Sequence, residues 1–193
     1  MRSNFKPAFY WILMIGLSAT ISAACGKKGG GGPGGGAWLV GDDGTMSNLL
    51  RDGTLGDGYD LGVDQDLLAI ACRGEDAAFV VGEAGTFLRT FDGGATWDAI
   101  DLATTTTLRD VAAVAPDAVF VAGDDGLLAS RDSGATVRAL PGSARAWRSV
   151  ATARAGAVAL ALADDGSVWR WDDDAGRLTE VATLPAPSAI AMS

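Results

Sequence analysis

Two short segments set a hydroxyl, a carboxylate, a glycine and a second hydroxyl at alternate positions: Thr90-x-Asp92-x-Gly94-x-Thr96-Trp97 and Ser130-x-Asp132-x-Gly134-x-Thr136. A carboxylate flanked this way can act as a base toward a hydroxyl, or it can accept hydrogen bonds from the backbone of its own turn. Glycine at the fifth position supplies a φ that other residues avoid, and a tryptophan can pack over the turn. The second use fits every position of the pattern. Asp92 and Asp132 are therefore read as turn-forming groups, and no catalytic residue is expected. The chain has no histidine, which removes Ser-His-Asp triads, imidazole acid–base work and His-ligated zinc.

A second set of acids recurs in four tetrapeptides, Gly41-Asp42-Asp43-Gly44, Gly82-Glu83-Ala84-Gly85, Gly123-Asp124-Asp125-Gly126 and Ala163-Asp164-Asp165-Gly166. Asp42, Asp43, Glu83, Asp124, Asp125, Asp164 and Asp165 would gather on one rim if the four turns share a face. Such a field attracts a basic protein segment or a cation. Asp-Gly is also good hairpin chemistry in its own right. No loop has the spacing of a calcium-binding EF-hand, so neither metal nor cofactor is expected.

These turns must be positioned by something regular. Each follows a short apolar run, and their last glycines are 41, 41 and 40 residues apart. A period near 40 built from short strands marks a repeat architecture. Leu108 to Val114, Ala118 to Ala122, Leu127 to Ser130 and Thr136 to Leu140 read as four strands with turns at Ala115-Pro116-Asp117, Gly123–Gly126 and Arg131–Ala135. Leu67 to Cys72, Ala77 to Val81, Thr86 to Thr90 and Thr96 to Leu102 repeat the plan. So do Trp147 to Ala151, Ala157 to Leu162, Ser167 to Trp171 and Leu178 to Leu184. The sequence thus predicts an all-β fold, a small β-propeller of about four four-stranded blades over residues 38–193. The first unit begins at Ala37-Trp38-Leu39-Val40, which matches a second strand. Ser188 to Met192 matches a first strand. The expected closure pairs this C-terminal strand into the first blade, giving a monomer; two chains sharing one larger ring is the alternative.

Cys25 and Cys72 are the two cysteines, in contexts too different to suggest a disulfide. Arg2 and Lys6 precede an apolar stretch from Ala8 to Leu17, and small residues lead to Ala23-Ala24-Cys25, the layout of an export signal. The last residues resemble the bacterial lipobox, with Ser22 where the pattern prefers leucine. That resemblance implies a signal peptide over 1–24, cleavage before Cys25, and acylation of Cys25. Gly26 to Ala37 then forms a glycine-rich tether, reaching roughly 17–21 Å on average. The expected location is the bacterial cell envelope, lipid-anchored, with outer membrane favoured by Gly26; secretion is the alternative. From Trp38 onward there are 24 acids against 11 arginines and no lysine. A domain of that charge repels nucleic acid and anionic lipid.

The hairpin glycines followed by Thr90-to-Trp97 and Ser130-to-Thr136 resemble the BNR/Asp-box repeat propellers, and within them the photosystem II assembly/stability factor-like proteins. The resemblance spans about residues 38–193, with the units after Leu50 and Trp169 keeping only the aspartates. It implies a non-enzymatic scaffold for protein interaction or envelope assembly, usually with more blades than four. Asp boxes also mark sialidases, so a carbohydrate-binding or glycoside-hydrolase propeller is the alternative. That would need Tyr59, a glutamate among Glu75, Glu83 and Glu180, and an arginine cluster. Arg109 and Arg148 align with one another, and Arg73 does not. The expected partner is a protein, basic if the acidic rim recruits it.

Overall fold

A computed structural model describes residues 37–50, 52–74, 76–115, 117–152 and 158–185. The signal peptide, Cys25, nearly all of the tether and the expected C-terminal closing strand lie outside the described residues. The chain is all-β and propeller-like. Its strands are β1 (Ala37–Val40), β2 (Met46–Leu49), β3 (Leu67–Arg73), β4 (Ala77–Gly82), β5 (Phe87–Thr90), β6 (Asp98–Ala99), β7 (Leu108–Ala115), β8 (Ala118–Gly123), β9 (Leu127–Ser130), β10 (Arg138–Ala139), β11 (Trp147–Thr152), β12 (Val158–Ala163), β13 (Ser167–Asp172) and β14 (Arg177–Thr183). They form four antiparallel sheets: β1-β2, β3-β4-β5-β6, β7-β8-β9-β10 and β11-β12-β13-β14.

The second strands explain why the blades stack. Side chains alternate across a strand, so an uninterrupted apolar run serves both faces. In β4, Phe79 and Val81 pack toward the third sheet with Phe87, Leu108, Val111, Val119 and Val121. Val80 packs the other way with Val40, Met46, Leu67, Ile70 and Leu88. In β8, Phe120 and Ala122 turn toward the fourth sheet, where Trp147, Trp171 and the small residues Ala159, Ala161 and Ala163 meet them. Each core therefore belongs to two neighbouring blades.

The first unit shows β1 and β2 among the described residues, and the strand expected to complete it lies outside them. After β2, Leu55 and Tyr59 make isolated bridges to Leu49 and Met46. The segment carries Gly53 and Gly62 in the positive-φ region, which interrupts an extended run. The fourth strands of the second and third blades are two residues each, Asp98–Ala99 and Arg138–Ala139; the box turns claim Thr96 and Thr136 at their expected starts. Ala37 belongs to β1, as its place at the head of the first unit implied. Cys72 packs at the edge of the first interface and takes part in a disulfide, which its sequence context did not suggest.

The blade contacts depend on close approach at glycine. Gly94 has φ +85°, and a Cβ there would lie 2.5 Å from Cη2 of Trp38 in the preceding sheet. Gly134 has φ +73°, and its Cβ would lie 2.9 Å from Cε1 of Phe87, again one blade back. Gly142 has φ +76° with nothing within 4 Å, so it isolates the backbone effect. Gly94→Ala is expected to cost about 2–4 kcal/mol, backbone strain plus overpacking. Gly142→Ala is expected to cost about 1–2 kcal/mol from strain alone. Urea unfolding of the two variants checks the difference; equal losses would mean that Trp38 does not need the glycine.

Candidate functional site

The box turns lie at the end of each sheet where the first and second strands connect. Gly93 N–H donates to the Asp76 carbonyl at 3.0 Å, and Ser133 N–H to the Asp117 carbonyl at 3.0 Å. In the second blade Thr90 Oγ1 donates to Asp92 Oδ1 at 2.8 Å and accepts from Gly94 N–H at 3.0 Å. Asp92 Oδ1 accepts Thr96 N–H at 2.9 Å, and Oδ2 accepts Thr96 Oγ1 at 2.6 Å. The third blade repeats this: Ser130 Oγ to Asp132 at 2.8 Å, Gly134 N–H to Ser130 Oγ at 2.8 Å, and Thr136 N–H and Oγ1 to Asp132 at 2.8 and 2.6 Å. Both carboxylates are fully engaged with their own turn. Trp97 packs edge-on against Trp38, with ring centroids 6.1 Å apart. In the first unit Asp52 holds only Thr54. In the fourth, Asp172 accepts Ala175 N–H at 3.1 Å, and Asp173 accepts Trp171 Nε1–H at 2.9 Å while pairing with Arg131 of the preceding blade.

The hairpins lie at the opposite end, bonded to the connections that lead into the first strands. Gly44 N–H donates to the Gln65 carbonyl at 2.9 Å, Glu83 N–H to Asp66 at 2.9 Å, Asp124 N–H to Thr107 at 3.0 Å and Asp164 N–H to Ala146 at 3.2 Å. The seven rim acids thus sit at one end of their sheets, but they are not equivalent. Asp124 pairs with Arg109, Asp164 with Arg148 at 3.0 Å, and Asp165 faces Arg145 at 4.0 Å while capping Ser167. Asp42, Asp43, Glu83 and Asp125 form no salt bridge among the described residues.

The reason for the pairing is a repeated irregularity that the sequence does not announce. Strand register slips between Leu67 and Ala69, between Leu108 and Asp110, and between Trp147 and Ser149. The bulged residues are Leu68, Arg109 and Arg148. A bulge re-aims one side chain and locally ends the ladder. Here it swings two arginines onto the hairpin acids. The Asp124 and Asp164 charges both hold the Arg109 guanidinium in its charged form, after the direct hydrogen bond to Asp124. Arg109 and Arg148, candidates for the arginine cluster of a glycoside hydrolase, are bound to the rim acids. Arg73 ends β3 at the opposite end, beside Ala77, so the three arginines are split between the two ends. Tyr59 packs on Trp38 at 4.9 Å, and Glu180 lies on the outermost strand of the fourth sheet. The glycosidase set is therefore not brought together, although Glu75 lies outside the described residues.

Asp110 follows its bulge and reaches the next blade. It accepts Ser149 Oγ at 2.7 Å, Val150 N–H at 2.9 Å and its neighbour Val111 N–H at 2.9 Å. Burial pushes its carboxyl up, against the pull of those hydrogen bonds. Arg145 lies over Trp169, 4.4 Å from the ring centre, and near Trp147. Sequence reading missed both, since each depends on contacts between residues 20 to 40 apart in the chain. Among the described residues no group of three or more acids and cysteines is placed to hold a metal ion.

The Asp132 carboxyl is held down at about 2, chiefly by the Thr136 hydroxyl and then by Thr136 N–H. A depressed carboxyl stabilises the fold above its unfolded pKa near 3.8, and that contribution is lost as pH falls toward 2. Asp132→Asn should be less stable than the parent at pH 7, and the gap should close between about pH 4 and 2. Urea midpoints across that range check it; a gap that stays constant would remove the charge from the account.

The family model of the photosynthesis system II assembly factor YCF48 matches residues 56–176, more than half of the chain. Among solved structures, YCF48 bound to D1 peptide is similar at TM-score 0.60 and 20% identity, covering 90% of this chain and 52% of that one. YCF48 from Cyanidioschyzon merolae gives TM-score 0.59 and 20% identity, with coverages of 81% and 55%. Virginiamycin B lyase from Staphylococcus aureus gives 0.65 and 15%, with coverages of 86% and 57%. The chain spans about half the length of these structures. No curated protein matches it in sequence.

Proposed function

Because the chain belongs to the photosynthesis system II assembly factor YCF48 family, we propose that it is a non-enzymatic scaffold that captures an extended protein segment on its hairpin rim. The observation that carries this reading is the inequality of the rim. Arginines pair with Asp124, Asp164 and Asp165, whereas Asp42, Asp43, Glu83 and Asp125 on the first three hairpins have no salt bridge among the described residues. A neighbour of the same fold has been solved with a bound D1 peptide, which supports a peptide-like ligand here. Uncompensated acids favour a basic segment and give the encounter a salt dependence.

Neutralising Asp42, Asp43, Glu83 and Asp125 together should weaken capture of a basic partner and flatten its salt dependence. Asp124→Asn removes one charge rather than four and should weaken it less than the four-fold change, with the released Arg109 adding to the loss. Pull-down from an envelope extract at two salt concentrations measures both; capture indifferent to the four-fold change would remove the basic partner from the proposal.

We further propose that Cys25 carries a lipid and that Gly26 to Ala37 tethers the propeller to the bacterial envelope. The export signal and lipobox-like residues support this. The chain has two cysteines, so acylation of Cys25 and an intramolecular disulfide of Cys72 exclude one another. Radioactive palmitate should label the parent and not Cys25→Ser. Equal label in both would rule out the anchor.

A further inference from the structure

The three four-stranded sheets carry the same device at the hairpin end, and one of them lacks a part. The backbone N–H groups of Glu83, Asp124 and Asp164 donate to the carbonyls of Asp66, Thr107 and Ala146. Two residues after each of those carbonyls stands the bulged residue: Leu68, Arg109 or Arg148. The three acids therefore occupy matching places, and so do the three bulged residues. In the third sheet Arg109 Nε donates to Asp124, and in the fourth Arg148 Nε donates to Asp164 at 3.0 Å. In the second sheet half-buried Leu68 stands where the others have arginine. Exposed Glu83 has no salt bridge among the described residues.

The second blade thus keeps the acceptor without the donor. The two filled places show which donor this backbone frame accommodates: a guanidinium that meets the carboxylate through Nε. Leucine brings no charge, but it offers apolar surface of the kind that the methylene stem of an arginine covers while its head stays in water. Lysine would bring a point charge without the planar fork. The surrounding field also favours a cation. Asp43 N–H donates to Asp66 Oδ1 at 2.9 Å, which sets a further carboxylate on the residue whose carbonyl holds Glu83.

We propose that the second blade anchors the bound protein segment through one arginine of that segment, which takes at Glu83 the place that Arg109 and Arg148 fill on the next two blades. Leu68 is then the residue that sets specificity. It leaves Glu83 open to a guanidinium from outside, whereas the arginines close the same place elsewhere. The anchor rests on the rim capture proposed above and names the group captured.

The probe is a labelled nine-residue glycine–serine peptide with a lysine at each end and one central arginine. Fluorescence anisotropy at low salt reads its binding to the purified full chain. Citrulline keeps the shape of arginine and loses the charge, so the exchange should weaken binding by the parent about threefold, the scale of an exposed ion pair. Leu68→Arg supplies the guanidinium within the chain and should abolish this preference for arginine over citrulline. Glu83→Gln, at an exposed side chain, should abolish it too. Leu55→Arg adds the same charge on a 53% exposed residue that bridges Leu49 at the far end of β2, and should keep the preference. Leu68→Met, which alters the bulge without charging it, should also keep it. A parent without the preference, a preference kept by Leu68→Arg or Glu83→Gln, or one lost in Leu55→Arg would each overturn the anchor. The rim reading is decided separately, by whether neutralising Asp42, Asp43, Glu83 and Asp125 together lowers capture.

Discussion

The contact on which the rest of the molecule depends is an aromatic ring of one blade resting on the box-turn glycine of the next. Trp38 covers Gly94, and Phe87 with Phe79 covers Gly134. A side chain on either glycine would hold the blades apart. The glycines can adopt their positive φ because the turns are closed by aspartate: Asp92 and Asp132 each clamp a hydroxyl before the turn and a hydroxyl and N–H after it. A local hydrogen-bond network thus sets a backbone shape, and the shape permits packing between blades. This links the most motif-like residues of the chain to the cores that span each pair of sheets. The same network occupies both carboxylates. Held below the ordinary range by their own turn, they are poor proton carriers near neutral pH.

The two ends of the sheets consequently have different work. At the box end, polar groups are consumed by structure, and Arg89 and Arg131 tie each turn to the next: Arg89 donates to the Ser133 carbonyl at 2.6 Å, and Arg131 pairs with Asp173. At the hairpin end, the connections bond the turns through their backbones and leave side chains available. Bulges at Arg109 and Arg148 then supply positive charge to some of those side chains but not others. Leu68 occupies the equivalent bulge in the second blade, opposite Glu83. The rim is therefore graded, compensated toward the fourth blade and bare toward the first.

What could be read from sequence followed local rules. The 40-residue spacing, the apolar second strands and the Asp-Gly hairpins each report their own conformation, so the three complete sheets were legible nearly strand for strand. The fourth strands were overextended because Thr96 and Thr136 have strand propensity yet are claimed by the box turn. The rim acids could be named but not graded. Arg109 and Arg148 sit 15 and 16 residues before Asp124 and Asp164, and that recurrence was the available signal. Its meaning turned on the bulge, which shifts alternation by one residue and leaves no mark in composition.

The graded rim bears on what kind of recognition the fold can support. A uniformly acidic ring would attract any basic segment in any orientation. Arginine–carboxylate pairs on the third and fourth blades change that, because a ligand arriving there must either displace an existing pair or match both charges. Displacing a half-exposed pair costs little, so that side offers both an acceptor and a donor to an incoming backbone or side chain. The first two hairpins offer carboxylates alone. A segment bound across the rim would meet a one-signed field at one end and a mixed field at the other. Polarity of that sort fixes the direction in which an extended chain lies, which is the property a scaffold needs if it is to present its client in one orientation.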